Sequence, residues 1–118
     1  MITNDSKDTT LAKNICFLNS SFEKAKGLMF SLKKRVKDTG FVFVFDNEFR
    51  VNLHMFFVFF PIDVLFVDKE FKIVEIKENF RPFTFYFPKK ASKFVVELPC
   101  GAVKKSYTQV DDFVKFDE

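Results

Sequence analysis

The sequence predicts a mainly β (α+β) fold: a small, mostly antiparallel β-sandwich or barrel, with one α-helix near residues 21–33 covering an opening. Three observations support this prediction. Short apolar runs separated by turn residues follow one another along the chain, as they do in all-β sandwiches and barrels. One segment alone combines apolar residues at helical spacing with a helix start signal. The length of 118 residues favours one hydrophobic core, and therefore a single domain over 1–118.

The first third of the chain predicts one strand and the helix. Residues 1–9 are mostly polar, and we expect a frayed lead-in there. Residues 10–18 carry four large apolar side chains and predict a strand. Ser20 stands three residues before Glu23, which is the spacing of a capping box, in which each side chain satisfies the other residue's backbone N–H. Apolar residues then recur at helical spacing, which gives the helix over 21–33.

From residue 41 onward the pattern is that of strands. We predict them at 41–45, 51–57, 62–67, 71–77, 93–98 and 113–116. The first of these is apolar at both parities and should therefore be covered on both faces. Residues 46–48 and 68–70 predict turns. Residues 79–90 contain two prolines and predict a loop, with room for one edge strand, and 102–106 predict a helical turn.

Composition excludes several classes of function. The 19 basic and 16 acidic residues are interspersed and give a net charge of +3, which disfavours a nucleic-acid partner because phosphate binding needs a clustered basic face. One histidine and three glycines provide neither a multi-histidine metal site nor a glycine-rich phosphate loop. We therefore expect no cofactor and no bound metal.

Location is predicted from apolar runs and cysteines. The longest uncharged run, 51–62, is shorter than the roughly 20 residues of a membrane span, and the first eight residues lack an apolar signal core. We expect a cytoplasmic protein that does not enter a membrane. Cys16 and Cys100 are far apart in sequence, as is typical of buried, inert thiols in a reducing compartment, although one long-range disulfide stays open.

Four segments, in order, carry a family resemblance. They are Ser20-x-x-Glu23 followed by K-G-L-M, the run G-F-V-F-V-F from Gly40, the run P-I-D-V-L-F-V-D from Pro61, and F-V-V-E-L-P-C-G from Phe94. They resemble the T-x-x-E-x-x-R-G-L-M, G-M-L-F-V-F, I-P-L-D-I-I-F-I-D and Y-V-L-E-L-P-A-G segments of the bacterial and archaeal domain-of-unknown-function family one-ninety-two. The resemblance covers about residues 15–116. It implies a small β-sandwich or barrel with one helix, and it transfers no biochemical activity.

Departures from the family pattern point to a candidate ligand site. Residues 53–58 read L-H-M-F-F-V where many members carry F-W-M-K-N-T, so a polar triplet has become apolar. Lys26 replaces an arginine and loses its bidentate geometry. We expect a small apolar ligand or a protein partner to bind near residues 55–60 and 80–87. The candidate ligand-binding residues are Lys26, Met29, His54, Phe56, Phe57, Phe83 and Phe85.

Asp63 and Glu97 are the candidate catalytic residues. Both lie inside apolar strands, and two carboxyl groups on neighbouring strands can share a proton or act as acid and base. In the alternative interpretation, Asp63 accepts backbone N–H bonds around the break at Pro61, while Glu97 pairs with Lys26 or Arg50. Buried charges are usually paired structural groups, so the second interpretation is favoured.

Two further sites are disfavoured by the sequence. His54 and Met55 are neighbours on a predicted strand and point to opposite faces, so they do not converge on a Cu(I) ion. A Cys100 nucleophile would have His54 as its one available base.

We therefore expect a non-enzymatic binding module. An enzyme using the carboxylate pair and a structural homodimer, joined through an edge strand or a phenylalanine patch, are the alternatives. Most of the 20 phenylalanines fall on predicted strands and are expected to fill the core.

Overall fold

The computed structural model describes residues 1–19, 38–51, 53–54, 60–82 and 84–117. The helix predicted over 21–33 lies outside these residues. The described strands are β1 Ile2–Asn4, β2 Thr9–Ala12, β3 Asn14–Asn19, β4 Thr39–Phe49, β5 Leu53–His54, β6 Ile62–Val67, β7 Ile73–Phe80, β8 Phe85–Tyr86, β9 Ser92–Pro99 and β10 Val114–Phe116. One short helix, α1, spans Ala102–Lys105. Within these ranges, no helix is long and apolar enough to cross a membrane.

The strands form three sheets, which confirms the mainly β prediction. A five-stranded sheet has the order β3-β4-β9-β6-β7, a three-stranded sheet has the order β10-β1-β2, and β5 pairs with β8. Every pairing is antiparallel except that of β3 with β4, which is parallel. The described strands do not close into a barrel, so of the two predicted architectures the structure has packed sheets and not a barrel.

The five-stranded sheet has two buried faces, because side chains alternate along each strand. The inner face packs against the three-stranded sheet and α1, in one apolar cluster with Ile2, Leu11 and Val103. The inner-face residues are Val42, Leu65, Val67, Val96 and Leu98. The opposite face, here called the Glu97 face, carries Phe41, Phe43, Val64, Phe66, Val95 and Glu97. The run predicted at 41–45 to be covered on both faces contributes to both clusters, as expected.

The prediction of a frayed lead-in over 1–9 is wrong. Residues 2–4 form β1, the middle strand of the three-stranded sheet, and Ile2 is fully buried. Asn4 is buried as well, and its amide donates to Thr108 Oγ1 at 3.0 Å and to Asp112 Oδ2 at 2.9 Å. The polar composition of residues 1–9 led to the wrong prediction because a strand this short needs only one apolar residue facing the core. The next inward position is filled by an asparagine whose side chain is hydrogen-bonded.

Two other boundaries differ from the prediction. The strand expected over 10–18 is two strands in different sheets, because the chain bends at Lys13 and passes from β2 to β3. The turn expected at 46–48 is absent, since β4 continues through these residues and crosses a register irregularity in its pairing with β9. A register irregularity of this kind keeps a strand continuous through polar residues, so turn-forming residues alone do not mark its end.

Gly40 of β4 faces Ile2 and Ala12 of the three-stranded sheet. A Cβ at this position would overlap Ile2 Cδ1 and lie 3.1 Å from Leu98 Cδ2. We expect Gly40→Ala to lower the free energy of unfolding by about 1–3 kcal/mol, because extra atoms in a packed core force its neighbours to shift. Chemical denaturation measures this loss.

The matched control is Ile2→Val, which removes the overlapping Cδ1 atom. Alone it is expected to cost about 0.5–1.5 kcal/mol. In the double variant with Gly40→Ala, the total loss should be smaller than the sum of the two single losses, since the overlap is relieved. Additive losses would contradict this account of the sheet contact.

Candidate functional site

Glu97 lies at the centre of the five-stranded sheet, on β9, which is the middle strand. It is directly opposite Phe41 of β4 on one side and Val64 of β6 on the other. Cys16 of β3 is opposite Phe41, and Lys77 of β7 is opposite Val64. Directly opposite residues point to the same side of a sheet, so Glu97 is the middle member of a five-residue row whose nearest neighbours are apolar.

The adjacent row of the same face is apolar over four of its five strands. It consists of Leu18, Phe43, Val95, Phe66 and Glu75, taken from β3 to β7. Its first four members belong to the buried cluster on this face. The carboxyl group of Glu97 therefore projects into apolar surroundings, in which a charged or unpaired polar group is strongly disfavoured.

Both carboxyl oxygens of Glu97 lack a hydrogen-bond partner in the described part of the chain, although the residue is only 3% exposed. Desolvation by burial raises the pKa of Glu97 to about 8. The pairing with Arg50 that the sequence offered is not formed, and Arg50 is exposed. Lys26, the other expected partner, lies outside the described residues. The expectation that Glu97 is buried in a strand is confirmed, and its pairing with Lys26 stays a prediction.

Asp63 is directly opposite Leu98 on β9, one position from the pair formed by Val64 and Glu97. Because successive side chains alternate, Asp63 and Glu97 emerge on opposite faces of the sheet. The structure therefore does not bring the two candidate catalytic carboxyl groups together.

Asp63 instead joins the end of β7 and the start of α1 to β6. Its Oδ1 accepts a bond from the Asn79 N–H at 3.0 Å, and its Oδ2 accepts bonds from the Gly101 N–H at 3.0 Å and the Val103 N–H at 3.1 Å. The expectation that Asp63 accepts backbone N–H bonds is confirmed, although these donors belong to the ends of β7 and α1 instead of to residues around Pro61. This carboxylate is fully engaged in a structural role.

The loop after β7 is held on the Glu97 face by Tyr86 and Glu75. The Tyr86 ring lies 5.7 Å from Phe66 and 6.2 Å from Phe80, between centroids. Its hydroxyl donates to Glu75 Oε2, and Glu75 Oε1 accepts bonds from the Lys89 and Lys90 N–H groups at 2.8 and 3.0 Å. Burial, followed by the bond and the charge of Glu75, raises the pKa of Tyr86 to about 12.

Sequence reasoning missed this anchor. The phenylalanines at the tip of this loop are exposed instead: Phe85 is 55% exposed and stacks on Phe87 with centroids 6.0 Å apart. The available signal was Glu75, an acidic residue in the alternating pattern of a strand, which indicates a polar partner nearby.

The other candidate ligand-binding residues are placed as follows. His54 belongs to β5, where it is opposite Phe85. Lys26, Met29, Phe56, Phe57 and Phe83 lie outside the described residues. The strand predicted over 51–57 is described only at β5, Leu53–His54. The expected site near 55–60 therefore stays a prediction.

The two cysteines are free thiols, which resolves the disulfide question. Cys100 is exposed, so the expectation of a buried thiol is wrong for it, whereas Cys16 is half-buried on the Glu97 face. Partial desolvation of the Cys100 sulfur and the nearby charges of Asp63 and Glu78 raise the pKa of this thiol, which opposes thiolate formation. In the ranges that the structure covers, no three His, Cys, Asp or Glu side chains cluster as metal ligands would.

Comparisons with known proteins agree with the fold and the sequence pattern. Residues 2–116 match the model of the family DUF192, described as "Uncharacterized ACR". The chain is similar to a UPF0127 protein of Pyrococcus abyssi, with 32% identity over 98% of this chain and 97% of the relative. It is also similar to one of Pyrococcus horikoshii, with 30% identity over 98% of each chain.

Two solved structures share the fold. One, described as a candidate transcription regulator from Sinorhizobium meliloti, superposes with a TM-score of 0.75 at 25% identity and covers 86% of this chain and 79% of that one. The other is a protein of unknown function from Novosphingobium aromaticivorans, with a TM-score of 0.76 at 23% identity over 86% of this chain and 74% of that one. The family match spans nearly all of the chain, as the four sequence segments led us to expect. The chain belongs to the domain-of-unknown-function family one-ninety-two.

Proposed function

We propose that this protein is a non-enzymatic binding module that takes a small apolar ligand on the Glu97 face of its five-stranded sheet. The observation that carries the proposal is the Glu97 carboxyl group, which is buried on an apolar face with both oxygens unpartnered among the described residues. Apolar sites with a few well-placed polar groups are the usual form of small-molecule sites in proteins.

A purely structural role explains Glu97 poorly. A buried polar group without a partner costs about 1–3 kcal/mol of stability, and an apolar side chain of similar size would fill the same space without that cost. The surrounding residues Phe41, Val64 and Val95 are well suited to pack against such a side chain. An acidic residue that weakens the fold at this position is explained if a ligand uses the carboxyl group.

Binding is favoured over catalysis because the described neighbours of Glu97 offer it no chemical partner. Asp63 lies on the other face and is engaged by three backbone N–H groups. The Cys16 thiol lies two strands away in the same row, a separation of about 10 Å at the usual strand spacing. That is well beyond the roughly 3 Å over which a nucleophile and a base exchange a proton.

The proposal is tested by methyl NMR with a panel of small apolar molecules. Val64 and Val95 report on the Glu97 face, while Val42 and Val96, on two of the same sheet's strands, report on the inner face. We expect at least one panel molecule to shift the Val64 and Val95 methyl signals in a saturable way and to leave those of Val42 and Val96 nearly unchanged. This internal control requires no mutation.

Two results would overturn the proposal. One is a panel in which no molecule moves the Val64 and Val95 signals. The other is a set of shifts that affect both faces equally, which would indicate a general loosening of the core instead of binding at one face. Native mass spectrometry of protein purified without denaturation adds an independent readout, since a retained ligand would appear as a defined mass increment.

A further inference from the structure

We propose that the ligand of the Glu97 face is a small primary amine with an apolar chain, whose ammonium group pairs with the Glu97 carboxylate. This inference rests on the binding function proposed above and specifies the chemistry of the ligand's polar end. Its basis is the position of Glu97 between Phe41 and Val64, buried and with two oxygens that the described residues leave unpartnered.

The match between donors and acceptors favours an ammonium group. An ionised carboxylate only accepts hydrogen bonds, and an ammonium group has three donors and no acceptor. An alcohol supplies a single donor, so it would leave one oxygen of the ionised Glu97 carboxylate without a donor and its charge unbalanced. A second carboxylate would add a like charge in surroundings where charge repulsion is poorly screened. An ammonium group can therefore donate to both oxygens and balance their charge.

The apolar neighbours favour a cation carried on an apolar chain. The Phe41 side chain is directly beside Glu97, and the face of an aromatic ring attracts an ammonium group. The next row along the sheet contains Phe43, Val95 and Phe66. Rows on one face are about 7 Å apart, because they are two residues apart along each strand. A chain of about six carbons would reach from the Glu97 row to this second row.

Other charged groups on the same face are farther from Glu97 or already engaged. Neither β4 nor β6, the strands on either side of Glu97, contributes a titratable side chain to the two rows described above. Glu75 is bonded to Tyr86 and to two backbone N–H groups. The remaining described titratable side chains that share the face are Cys16 on β3, Lys77 on β7, Tyr86 on β8 and Lys93 on β9.

Binding of an ammonium group should be linked to release of a proton. In the free protein, burial holds the pKa of Glu97 at about 8, so the carboxyl group is protonated at neutral pH. The ammonium group, with a pKa of about 10.4 like that of lysine, keeps its charge. Pairing requires Glu97 to give its proton to the solvent. The dissociation constant should therefore fall about tenfold for each pH unit between about 6 and about 8, and then level off.

The experiment compares n-hexylamine, 1-hexanol and hexanoate, which share one chain length and differ in the polar end. Each is titrated into the protein between pH 6 and pH 9, with the Val64 and Val95 methyl signals as the readout. We expect hexylamine to bind at least about tenfold more tightly than hexanol at pH 8, with the pH dependence given above. Hexanol should show none, and hexanoate should bind most weakly.

Glu97→Gln and Glu97→Met are the matching variants, and their folding is checked by the methyl spectrum. Both should lose the preference for the amine while still binding hexanol. If hexanol binds the wild-type protein as tightly as hexylamine at every pH, the inference about the amine fails and the binding function stands. If none of the three molecules shifts the Val64 and Val95 signals at any pH, the amine inference fails as well, and the wider panel decides the binding function.

Discussion

Glu97→Met should increase the free energy of unfolding, and the increase should be larger at pH 8 than at pH 5. Methionine has a similar length and buries no polar atom, so the variant removes a penalty of about 1–3 kcal/mol for the two unpartnered oxygens. Its flexible side chain adapts to the space between Phe41 and Val64. Urea denaturation at a series of pH values measures both the increase and its pH dependence.

The pH dependence follows from the pKa of Glu97, which burial raises from 4.5 to about 8. Between these values the folded protein keeps a proton that the unfolded chain releases. The stability of the wild-type protein therefore falls as the pH rises through this window, by up to about 1.4 kcal/mol per unit. Below it Glu97 is neutral in both states, and above it the loss is complete. The methionine side chain of the variant does not titrate, so this contribution to the slope disappears.

Glu97→Gln separates the cost of burying a polar group from the pH dependence of stability. Glutamine does not titrate, so this contribution to the pH slope should again disappear, but its buried amide retains a polar penalty. Its stability at pH 8 should therefore lie between those of the wild-type protein and Glu97→Met. A wild-type slope that persists in both variants, or a Glu97→Met variant less stable than the wild type at pH 8, would show that Glu97 is satisfied and ionised in the folded protein.

Asp63→Ala should have the opposite sign and a large effect, a loss of about 4 kcal/mol in the free energy of unfolding. The carboxylate accepts bonds from the N–H groups of Asn79, Gly101 and Val103, and bonds to a charged group contribute about 1.5–3 kcal/mol each, although not additively. Alanine would leave the buried Val103 N–H without an acceptor. The loss is a large fraction of the roughly 5–15 kcal/mol that stabilise a typical domain.

Two control variants calibrate this result. Asp63→Asn keeps one oxygen, which can serve the Gly101 and Val103 N–H groups, so its loss should be roughly half as large. Asp117→Ala removes an exposed carboxylate 3.6 Å from the Lys115 ammonium group and should change stability by less than about 1 kcal/mol. Amide exchange should accelerate at Gly101 and Val103 in Asp63→Ala. Unchanged exchange at these amides would contradict the fastening role of Asp63.

The strands were predictable from the sequence where local pattern is decisive. The apolar runs that became β6 and β9 lie within about one residue of their predicted bounds, because a strand buried on both faces must be apolar at nearly every position. The turn at 68–70 was also predictable, since Asp68 accepts bonds from the N–H groups of Glu70 and Lys72, as turn aspartates do. Family membership was predictable from the four segments because they combine these runs with particular polar residues.

The local sequence pattern did not predict the strands correctly where the pairing between distant segments determined them. Residues 2–4 became a strand because β10, from the far end of the chain, and β2 supply hydrogen bonds on its two sides. The strand predicted over 10–18 is interrupted because β2 and β3, on either side of Lys13, pair with strands of different sheets. Strand pairing depends on which segments meet in space, and composition does not record it.

The same distinction between local pattern and strand pairing applies to the candidate site. From the amino-acid pattern alone, Asp63 and Glu97 could be placed within apolar strands of a mainly β fold that would bury them. Their different roles follow from strand pairing, because the register of β6 against β9 places the two side chains on opposite faces of the sheet. On one face Asp63 meets three N–H groups that close the ends of β7 and α1. On the other, Glu97 has apolar neighbours on the adjoining strands. In a sheet, a shift of one residue exchanges the faces, so two similar carboxylates became a structural anchor and a candidate ligand group.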